Sequence, residues 1–279
     1  MSSRRRKIKL IKCIRISLLT ISSIIIAFPF YWSIVNSFKP YKEIYSFPPL
    51  YIPHDPTLDH YYVISDMAFG KYLLNSIIVG SLTAFLAVLI ALLPAYAFSK
   101  YKFLFKNAML LSVILLQLLP QVVFLVPVFK ILKNLSLLNS FMGLSISYLP
   151  FITPVIVMFL KSYFFSIPKS LEEAAIIDGC SRIGAFIKVI LPISIPGIFS
   201  SFIYAFLFSW SELMFAMSFL TDPDKQTIPV FLSIFVGQYQ TRWGPLFAGS
   251  VLATLPAFVL FAILQKYFVS GLTAGALKE

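Results

Sequence analysis

Residues 72–99 read YLLNSIIVGSLTAFLAVLIALLPAYAFS, the longest stretch of the chain without an Asp, Glu, Lys or Arg. As a helix this stretch would be about 42 Å long, which exceeds the roughly 30 Å thickness of the hydrocarbon core of a bilayer. Its apolar residues do not alternate with polar ones, as they would in a strand of a membrane barrel. The stretch therefore predicts a transmembrane helix.

Five further uncharged stretches of at least 23 residues occur at 16–38, 107–129, 134–160, 189–211 and 243–265. Together the six stretches predict an all-α integral membrane protein with six transmembrane helices. The composition agrees, since only 12% of the 279 residues are charged, against roughly 25% in a soluble domain. Residues 226–241 are also uncharged but too short to span, so we expect a re-entrant or interfacial piece there.

Lys and Arg residues are distributed unevenly between the two sides of these spans. Of the 23 basic residues, 16 fall on the side of the N-terminus and seven on the opposite side. Basic residues close to membrane spans are retained in the cytoplasm, so both termini are expected to be cytoplasmic. The net charge of +12 is interpreted as a consequence of this topology, and no nucleic-acid partner is expected.

This topology predicts the organisation of the whole chain. It gives a basic cytoplasmic tail (1–15), a six-helix domain (16–265) with an outer loop (39–71) and a cytoplasmic loop (166–188), and a cytoplasmic C-terminal tail (266–279). The outer loop is rich in proline and tyrosine, so we expect irregular structure that could form a docking surface. Cys13 and Cys180 both fall on the cytoplasmic side, where thiols stay reduced.

The chain lacks the residues that nucleotide hydrolysis requires. Gly179 and Gly184 have the spacing of a phosphate-binding loop, but Ala185-Phe186 follows where such a loop has Lys-Ser or Lys-Thr. Both the charge partner of the phosphate and the magnesium ligand are therefore missing. We expect a chain that does not hydrolyse ATP itself.

The candidate residues for a metal site lie in the outer loop, at His54, Asp55, Asp59 and His60. Their spacing is typical of a solvated loop with an Asp-Pro turn, and no metal site is predicted. The chain has no other histidine, and its hydroxyl groups have no base nearby in the sequence. We therefore expect a non-catalytic protein without a cofactor.

The cytoplasmic loop contains SIPKSLEEAAIIDGCSR at 166–182. Ser170 is placed to cap a short helix with Glu172 and Glu173 in its first turn, and Gly179 is placed to end that helix in a left-handed conformation. At 3.6 residues per turn, one face of this helix would carry Leu171, Ala174, Ala175 and Asp178. The residues alone leave two alternatives open, a capped connector or a docking element with a small, close-approach surface.

The segment Glu173-Ala174-Ala175, with Gly179 and then Val189-Ile190-Leu191-Pro192, resembles the EAA signature of binding-protein-dependent ABC importer permeases. The family usually has Ile where this chain has Val189. Further stretches resemble the carbohydrate-uptake branch, close to the maltose permease component, at Asn75-Ser76, 93–101, 117–120, Ile167-Pro168, Trp243-Gly244 and 265–278. The resemblance covers residues 15–279.

The resemblance implies a type I ABC importer permease fold and a sugar or oligosaccharide as cargo. It implies a bacterial cytoplasmic membrane, a second homologous permease subunit, an ABC ATPase dimer and an extracytoplasmic solute-binding protein as partners. The residues that it assigns to coupling with the ATPase are Glu172, Glu173, Ala174, Ala175, Asp178 and Gly179. It also implies that Gly271, Gly275 and Lys278, in the C-terminal tail, reach between the ATPase subunits.

Polar residues within the apolar stretches are candidates for the translocation pathway. Glu212 is the most notable, because an ionisable group at the bilayer centre costs at least about 2.5 kcal/mol. One hypothesis is that bent, proline-containing helices line a pathway together with Asn75, Gln117, Gln121, Trp210, Ser211 and Glu212. The alternative is that these residues form hydrogen bonds between helices or contact the second permease.

Two other transport functions are considered. A permease for glycerol 3-phosphate or a polyol would share the motifs, but a phosphate pathway requires buried Arg or Lys, and the six uncharged stretches contain none. A stand-alone secondary transporter would show internal repeats, broken helices and ion ligands within the membrane, and Glu212 alone gives little support for this. The sequence therefore favours the importer of a neutral sugar.

Overall fold

A computed structural model describes the backbone of residues 2–276 and the side chains of residues 12–263. Within these residues the chain is helical, with one isolated β-bridge between Val236 and Thr241 and no strand. The chain forms two compact units. One contains residues up to Phe69 together with Ile234–Thr254, and the other contains Gly70–Ser233 together with the residues from Leu255 onward.

The first unit begins with helix α1 (Ser2–Ser37), followed by the short helices α2 (Tyr41–Ile44) and α3 (Asp59–Asp66). The part of α1 from Lys12 to Ser37 is long and apolar enough to cross a membrane. The predicted outer loop (39–71) therefore contains two short helices. The next long helix already begins within it, at Phe69.

A buried lysine holds the irregular part of this outer segment. Lys39 is only 1% exposed, and its ammonium donates hydrogen bonds to Asn36 Oδ1 (3.0 Å) and to the carbonyl oxygen of Leu50. The same ammonium lies 4.6 Å from the centre of the Trp32 ring. Burial lowers the pKa of Lys39, and the charge of Glu43 opposes this shift. Lys39 thus ties Asn36, near the end of α1, to Leu50, which follows α2.

Three of the four residues considered as metal ligands make other contacts in the structure. The backbone N–H groups of His54 and Asp55 each donate to the carboxylate of Glu43, both at 3.0 Å. His60 is 2% exposed, and its Nε2 lies 2.8 Å from the carbonyl oxygen of Lys39. Its ring also fills the space where a Cβ on Gly244 would stand, 2.2 Å away, so His60 packs against the start of the last helix.

The second unit begins with α4 (Phe69–Lys100), a continuous candidate span. It is followed by α5 (Lys106–Leu115), two 3₁₀ turns (Leu116–Leu118 and Gln121–Phe124) and α6 (Leu125–Asn134). The halves Lys106–Leu118 and Gln121–Asn134 meet at 93°. Leu119 at this break is extended, with ψ of 129°, because the residue before a proline disfavours the helical conformation. The third predicted span is therefore a bent pair broken at Pro120.

Helix α7 (Phe141–Ser166) is continuous despite Pro150 and Pro154 inside it. The chain after α7, including the predicted cytoplasmic loop (166–188), forms α8 (Lys169–Ile177), α9 (Arg182–Ala185), a π turn (Phe186–Ile190) and α10 (Leu191–Ile193), and α11 (Ile195–Ser211) follows. The halves Arg182–Ile193 and Ile195–Ser211 meet at 73°, with Ser194 at the bend between Pro192 and Pro196. The fifth predicted span is thus a second bent pair.

The last part of the chain contains α12 (Met214–Phe219), a 3₁₀ turn (Pro223–Lys225), α13 (Ile228–Ser233) and the long helix α14 (Trp243–Ala276). The uncharged residues 226–241 form a short helix and a turn closed by the β-bridge, and do not form a span. Helix α14 is continuous past Pro256 and continues into the predicted tail. Four helices, and up to six if each bent pair is one span, are long and apolar enough to cross a membrane.

The main core of the second unit lies where α12 and α13 pack against α4, α6 and α7. Its buried members are Val79, Leu132, Leu144, Tyr148, Phe151, Phe215, Ala216, Phe219, Leu220 and Val230. Two glycines of this unit allow an aromatic ring of another helix to pack directly against their backbone. A Cβ on Gly80 would meet the Phe206 ring at 2.8 Å, and one on Gly197 would meet the Tyr163 ring at 2.6 Å.

We expect the substitution Gly143→Ala to destabilise this unit by about 1–3 kcal/mol, as overpacking does. A Cβ on Gly143 would lie 2.1 Å from the carbonyl oxygen of Leu137, which is backbone. The measurement is thermal unfolding in detergent. Gly70→Ala is the matched control, because that position has no atom within 4 Å of the added Cβ. Equal shifts in both variants would contradict this interpretation of the packing.

Candidate functional site

Helix α8 carries the EAA segment, and it begins one residue before the predicted cap. Its N-cap position is Pro168, which is extended (φ −56°, ψ 136°), and no side chain caps the helix. Ser170 lies inside the first turn, so its prediction as the cap was wrong. The reason is local, because proline fixes its own φ and leaves no N–H unpaired, which lets the helix begin directly after it.

The end of α8 agrees with the prediction for Gly179. This glycine has φ of +89°, a left-handed conformation that suits glycine. Its N–H donates to the carbonyl oxygen of Ile176 (3.0 Å), and the N–H of Cys180 donates to that of Ala175 (2.9 Å). This pair of bonds is a Schellman motif, and the helix therefore ends sharply. The chain re-enters helix α9 with Ser181 Oγ accepting from the N–H of Gly184 at 3.1 Å.

One side of α8 faces outward from the second unit. Leu171, Glu173, Ala174, Ile177 and Asp178 are exposed, and we call these five residues the exposed face. Lys169, Ser170 and Ile176 are exposed as well. Ile177 is 85% exposed, and the Glu173 carboxylate lies 3.9 Å from the ammonium of Lys169. Of the four residues predicted to share one surface, Ala175 is buried and the other three are exposed. The exposed face therefore combines apolar, small and acidic side chains.

The opposite side of α8 faces the C-terminal end of α4. Glu172 is 6% exposed, and its Oε1 accepts from the hydroxyl of Tyr101 at 3.5 Å. The ammonium of Lys100 donates to the carbonyl oxygen of Ile167 at 2.7 Å, just before α8. Sequence reasoning missed Tyr101 as part of the site. The only signal for it was its position at the end of a span, where tyrosine is enriched.

Among the candidate pathway residues, Asn75 holds the segment before α13. Its side chain is buried, and its amide nitrogen donates to the carbonyl oxygens of Asp224 (3.0 Å) and Gln226 (2.9 Å). The neighbouring Ser76 accepts from the N–H of Ile228 at 2.8 Å. The Asn75-Ser76 pair thus satisfies backbone groups between the 3₁₀ turn and the first residue of α13.

Gln117 and Gln121 flank the 93° break of the third span. Gln117 Nε2 donates to the carbonyl oxygen of Phe151 in α7 at 2.9 Å. Gln121 is half-buried and follows Pro120. The structure therefore brings both glutamines to a bend, as the hypothesis of polar residues at bent helices expects.

Glu212 lies at the break between α11 and α12. Its carboxylate accepts from the backbone N–H groups of Phe215 (2.9 Å) and Ala216 (3.1 Å), in the first turn of α12. It also accepts from the hydroxyl of Tyr148 at 2.7 Å. Carboxylates are favourable at helix N-termini, so Glu212 acts as a cap. Tyr148 was not predicted, although a tyrosine within an apolar span normally needs a polar partner.

The two residues before Glu212 have different surroundings. Trp210 is buried, and its ring stacks on that of Phe206 with centroids 5.3 Å apart. Ser211 is exposed and donates to carbonyl oxygens of its own helix. The candidate pathway residues thus form three groups with separate partners. In the C-terminal region, Gly271 and Gly275 lie within α14, whereas Lys278 is outside the described residues.

Comparison with known proteins decides the family. Residues 87–274 match the family described as the binding-protein-dependent transport system inner membrane component. The chain belongs to this family. It is therefore the non-catalytic, multi-pass permease subunit of an ABC importer, which works with an ATPase and a binding protein.

Three relatives of this permease are named for their cargo. The sulfoquinovosyl glycerol permease of Agrobacterium fabrum is 39% identical over 90% of this chain and 88% of its own length. The trehalose/maltose permease of Thermococcus litoralis is 39% identical over 92% of this chain and 93% of its own length. The diacetylchitobiose permease of Streptomyces coelicolor is 34% identical over 91% of this chain and 92% of its own length.

Solved structures confirm the importer fold. A bacterial ABC transporter that imports the acidic polysaccharide alginate contains a chain with a TM-score of 0.77 at 20% identity, covering 93% of this permease and 97% of that chain. A chain of the MetNI methionine transporter in an inward-facing conformation has a TM-score of 0.56 at 14% identity, covering 77% of this permease and 99% of that chain. At these identities the similarity concerns the fold alone.

We expect Glu212→Gln to lower the free energy of unfolding by about 1–3 kcal/mol, because an amide leaves one buried hydrogen-bonding group without a suitable partner. Thermal unfolding in detergent measures this, and transport assays show whether uptake falls in proportion. Ser211→Ala is the control, since Ser211 bonds only within its own helix. An unchanged unfolding temperature with lost uptake would contradict the capping role and favour a role in the pathway.

Proposed function

We propose that this permease imports a sugar or oligosaccharide across a bacterial cytoplasmic membrane, together with a second homologous permease subunit. A dimer of ABC ATPases would bind α8 on the cytoplasmic side, and an extracytoplasmic binding protein would deliver the cargo. The observation that carries this proposal is the exposed face of α8. It combines apolar, small and acidic side chains on a helix whose opposite side packs against the rest of the second unit.

The composition of the exposed face supports docking to another protein. Leu171 is 40% exposed and Ile177 is 85% exposed, and the nearby Ile183 is 70% exposed. Contiguous exposed apolar groups mark interaction surfaces. Ala174 allows a close approach of the partner, and Glu173 is placed to pair with an arginine in a groove of the ATPase. The short, sharply ended helix suits transmission of a push as a rigid body.

Alternating access would follow from movements of the two bent pairs. ATP binding closes the ATPase dimer, the α8 helices of the two permeases approach each other, and the pathway between the permeases opens outward. Hydrolysis then resets the transporter. We propose that Gln117, Gln121, Trp210 and Ser211, close to the breaks, face this pathway, with Asn75 and Glu212 holding the backbone around it.

The C-terminal region is proposed to contact the ATPase as well. Helix α14 continues without interruption to Ala276, so Gly271 and Gly275 would extend beyond the apolar part of the helix on the cytoplasmic side. Glycines at this spacing allow close approach to another surface. Lys278 would add a positive charge at the end of this extension.

The buried charges favour a neutral cargo over glycerol 3-phosphate. Among residues 12–263, Lys39 is the only buried lysine or arginine. Its ammonium is already bonded to Asn36 and Leu50, so it offers no free cation for a phosphate. The cargoes in the names of the three relatives are saccharides or a saccharide derivative. Family membership also argues against a stand-alone secondary transporter.

We expect Ala174→Trp to reduce the amount of ATPase that co-purifies with this chain by about tenfold or more, because overpacking at a close contact costs about 1–3 kcal/mol. Co-purification from membranes at equal expression measures the effect. Lys102→Trp serves as the control, since Lys102 is exposed in a different cytoplasmic loop. Equal loss of ATPase in both variants would contradict docking at α8.

The proposed orientation is tested with the native cysteines. In a Cys13→Ser background, Cys180 should react with a membrane-impermeant maleimide in inside-out vesicles and not in intact cells. Tyr239→Cys in a Cys13→Ser, Cys180→Ser background should show the reverse, because Tyr239 is 94% exposed and lies in a predicted outer segment. Labelling of Cys180 from outside intact cells would overturn the orientation.

A further inference from the structure

Two adjacent carboxylates on α8 point in different directions. The Glu173 side chain is 61% exposed, whereas Glu172 is 6% exposed. Neighbouring residues on a helix are rotated by about 100° from one another, so the two carboxylates do not lie on the same surface of α8. Only Glu173 is available to a docking protein, and the role of Glu172 must be sought inside the permease.

The inner environment of Glu172 is formed by the end of α4. Its Oε1 is 3.5 Å from the hydroxyl of Tyr101. Its Oε2 is buried and has no hydrogen-bond partner within the described part of the chain. Leaving a buried acceptor unpaired costs stability. The Tyr101 hydroxyl donates a hydrogen bond to this carboxylate, and the charge of Glu172 also acts on the neighbouring hydroxyl of Tyr96 and on the ammonium of Lys100.

Tyr101 is itself held on several sides. The guanidinium of Arg182, at the start of α9, lies 5.8 Å from the centre of the Tyr101 ring. The ring of Tyr96 in α4 meets it edge-on at 5.7 Å, and Tyr96 packs against Phe186 at 4.5 Å. Tyr101 therefore contacts both helices of the cytoplasmic loop and the last turns of a membrane-crossing helix.

A second contact between the end of α4 and the start of α8 lies beside the Glu172–Tyr101 contact. Lys100 precedes Tyr101 and donates to the carbonyl oxygen of Ile167, two residues before α8 begins. Phe164, at the end of α7, packs against both Tyr96 (5.9 Å) and Phe186 (6.0 Å). The entry to α8 is thus fixed by a backbone contact and by aromatic packing. Within α8 itself, Glu172 is the polar side chain that reaches α4.

We propose that Glu172 is a positioning residue that acts through Tyr101 to fix α8 to the cytoplasmic end of α4. Displacement of α8 would then be passed directly to α4, while Glu173 faces the ATPase. This inference rests on the proposed function for the source of the displacement. It assigns to Glu172 a different role from the ATPase contact that the family resemblance implies.

The attachment of α8 is tested first without any partner. The reporter is Cys180, which lies three residues after the end of α8 and is half-buried, in a Cys13→Ser background. Its maleimide labelling rate should rise roughly 3- to 10-fold in Glu172→Leu and in Tyr101→Phe, as expected from losing one hydrogen bond. Combining the two changes should give no further rise, because they remove the same contact. Glu173→Leu is the matched control and should label at the parental rate.

The conservative variant separates positioning from general destabilisation. Glu172→Gln keeps an oxygen that accepts from Tyr101, so it should label close to the parental rate. Equal labelling of Glu172→Gln and Glu172→Leu would overturn a role that acts through the Tyr101 hydroxyl. Additive effects of Glu172→Leu and Tyr101→Phe, or parental rates in both, would also overturn it.

The consequence for transport is tested in the assembled transporter. Glu172→Leu should retain the co-purifying ATPase and its basal hydrolysis but lose most of the stimulation by the loaded binding protein. Glu173→Leu should instead reduce co-purification. Loss of ATPase association in Glu172→Leu would contradict the inference. If no ATPase co-purifies with the unmodified permease, the proposed function fails, whereas the Cys180 labelling results still decide the positioning role.

Discussion

A chain that crosses a bilayer must satisfy its backbone hydrogen-bonding groups internally, because hydrocarbon offers no partners. Continuous helices such as α4, α7 and α14 do this along most of their length. The interrupted parts of this permease need side chains instead. Gln117, beside the 93° break, donates to a carbonyl oxygen of the neighbouring helix α7, whereas Glu212 accepts from two N–H groups after α11. Polar residues beside the breaks thus either satisfy freed backbone groups or bond a bent span to its neighbour.

This requirement explains why polar residues and bends coincide. A bend gives a helix two arrangements of its halves, which a transporter needs, but every bend also frees backbone groups. Asn75 and Ser76 show the same principle at the start of α13, where they bind two carbonyl oxygens before the helix and the N–H of its first residue. A residue that holds a bend therefore has an indirect influence on a pathway, whether or not it contacts the cargo.

The sequence predicted the membrane-crossing helices well, because length and lack of charge depend on local composition alone. It also predicted the left-handed end of α8 at Gly179, since few residues adopt that conformation. It did not predict the sharp bends at Pro120 and Ser194. Pro94 and Pro256 lie in helices that stay continuous, so a proline alone does not decide whether a helix bends. The packing of neighbouring helices decides it. The opposite directions of Glu172 and Glu173, and the partner Tyr148 of Glu212, depend on tertiary packing in the same way.

The outer segment of the first unit shows how a surface loop is ordered without a covalent link. Its shape depends on one buried ammonium and on a carboxylate that binds two N–H groups, and the two cysteines of the chain lie elsewhere. Residues 39–69 contain no cysteine, so this segment needs no disulfide and no oxidising enzyme to mature. Its assembly is therefore independent of the redox state of its surroundings, aerobic or anaerobic.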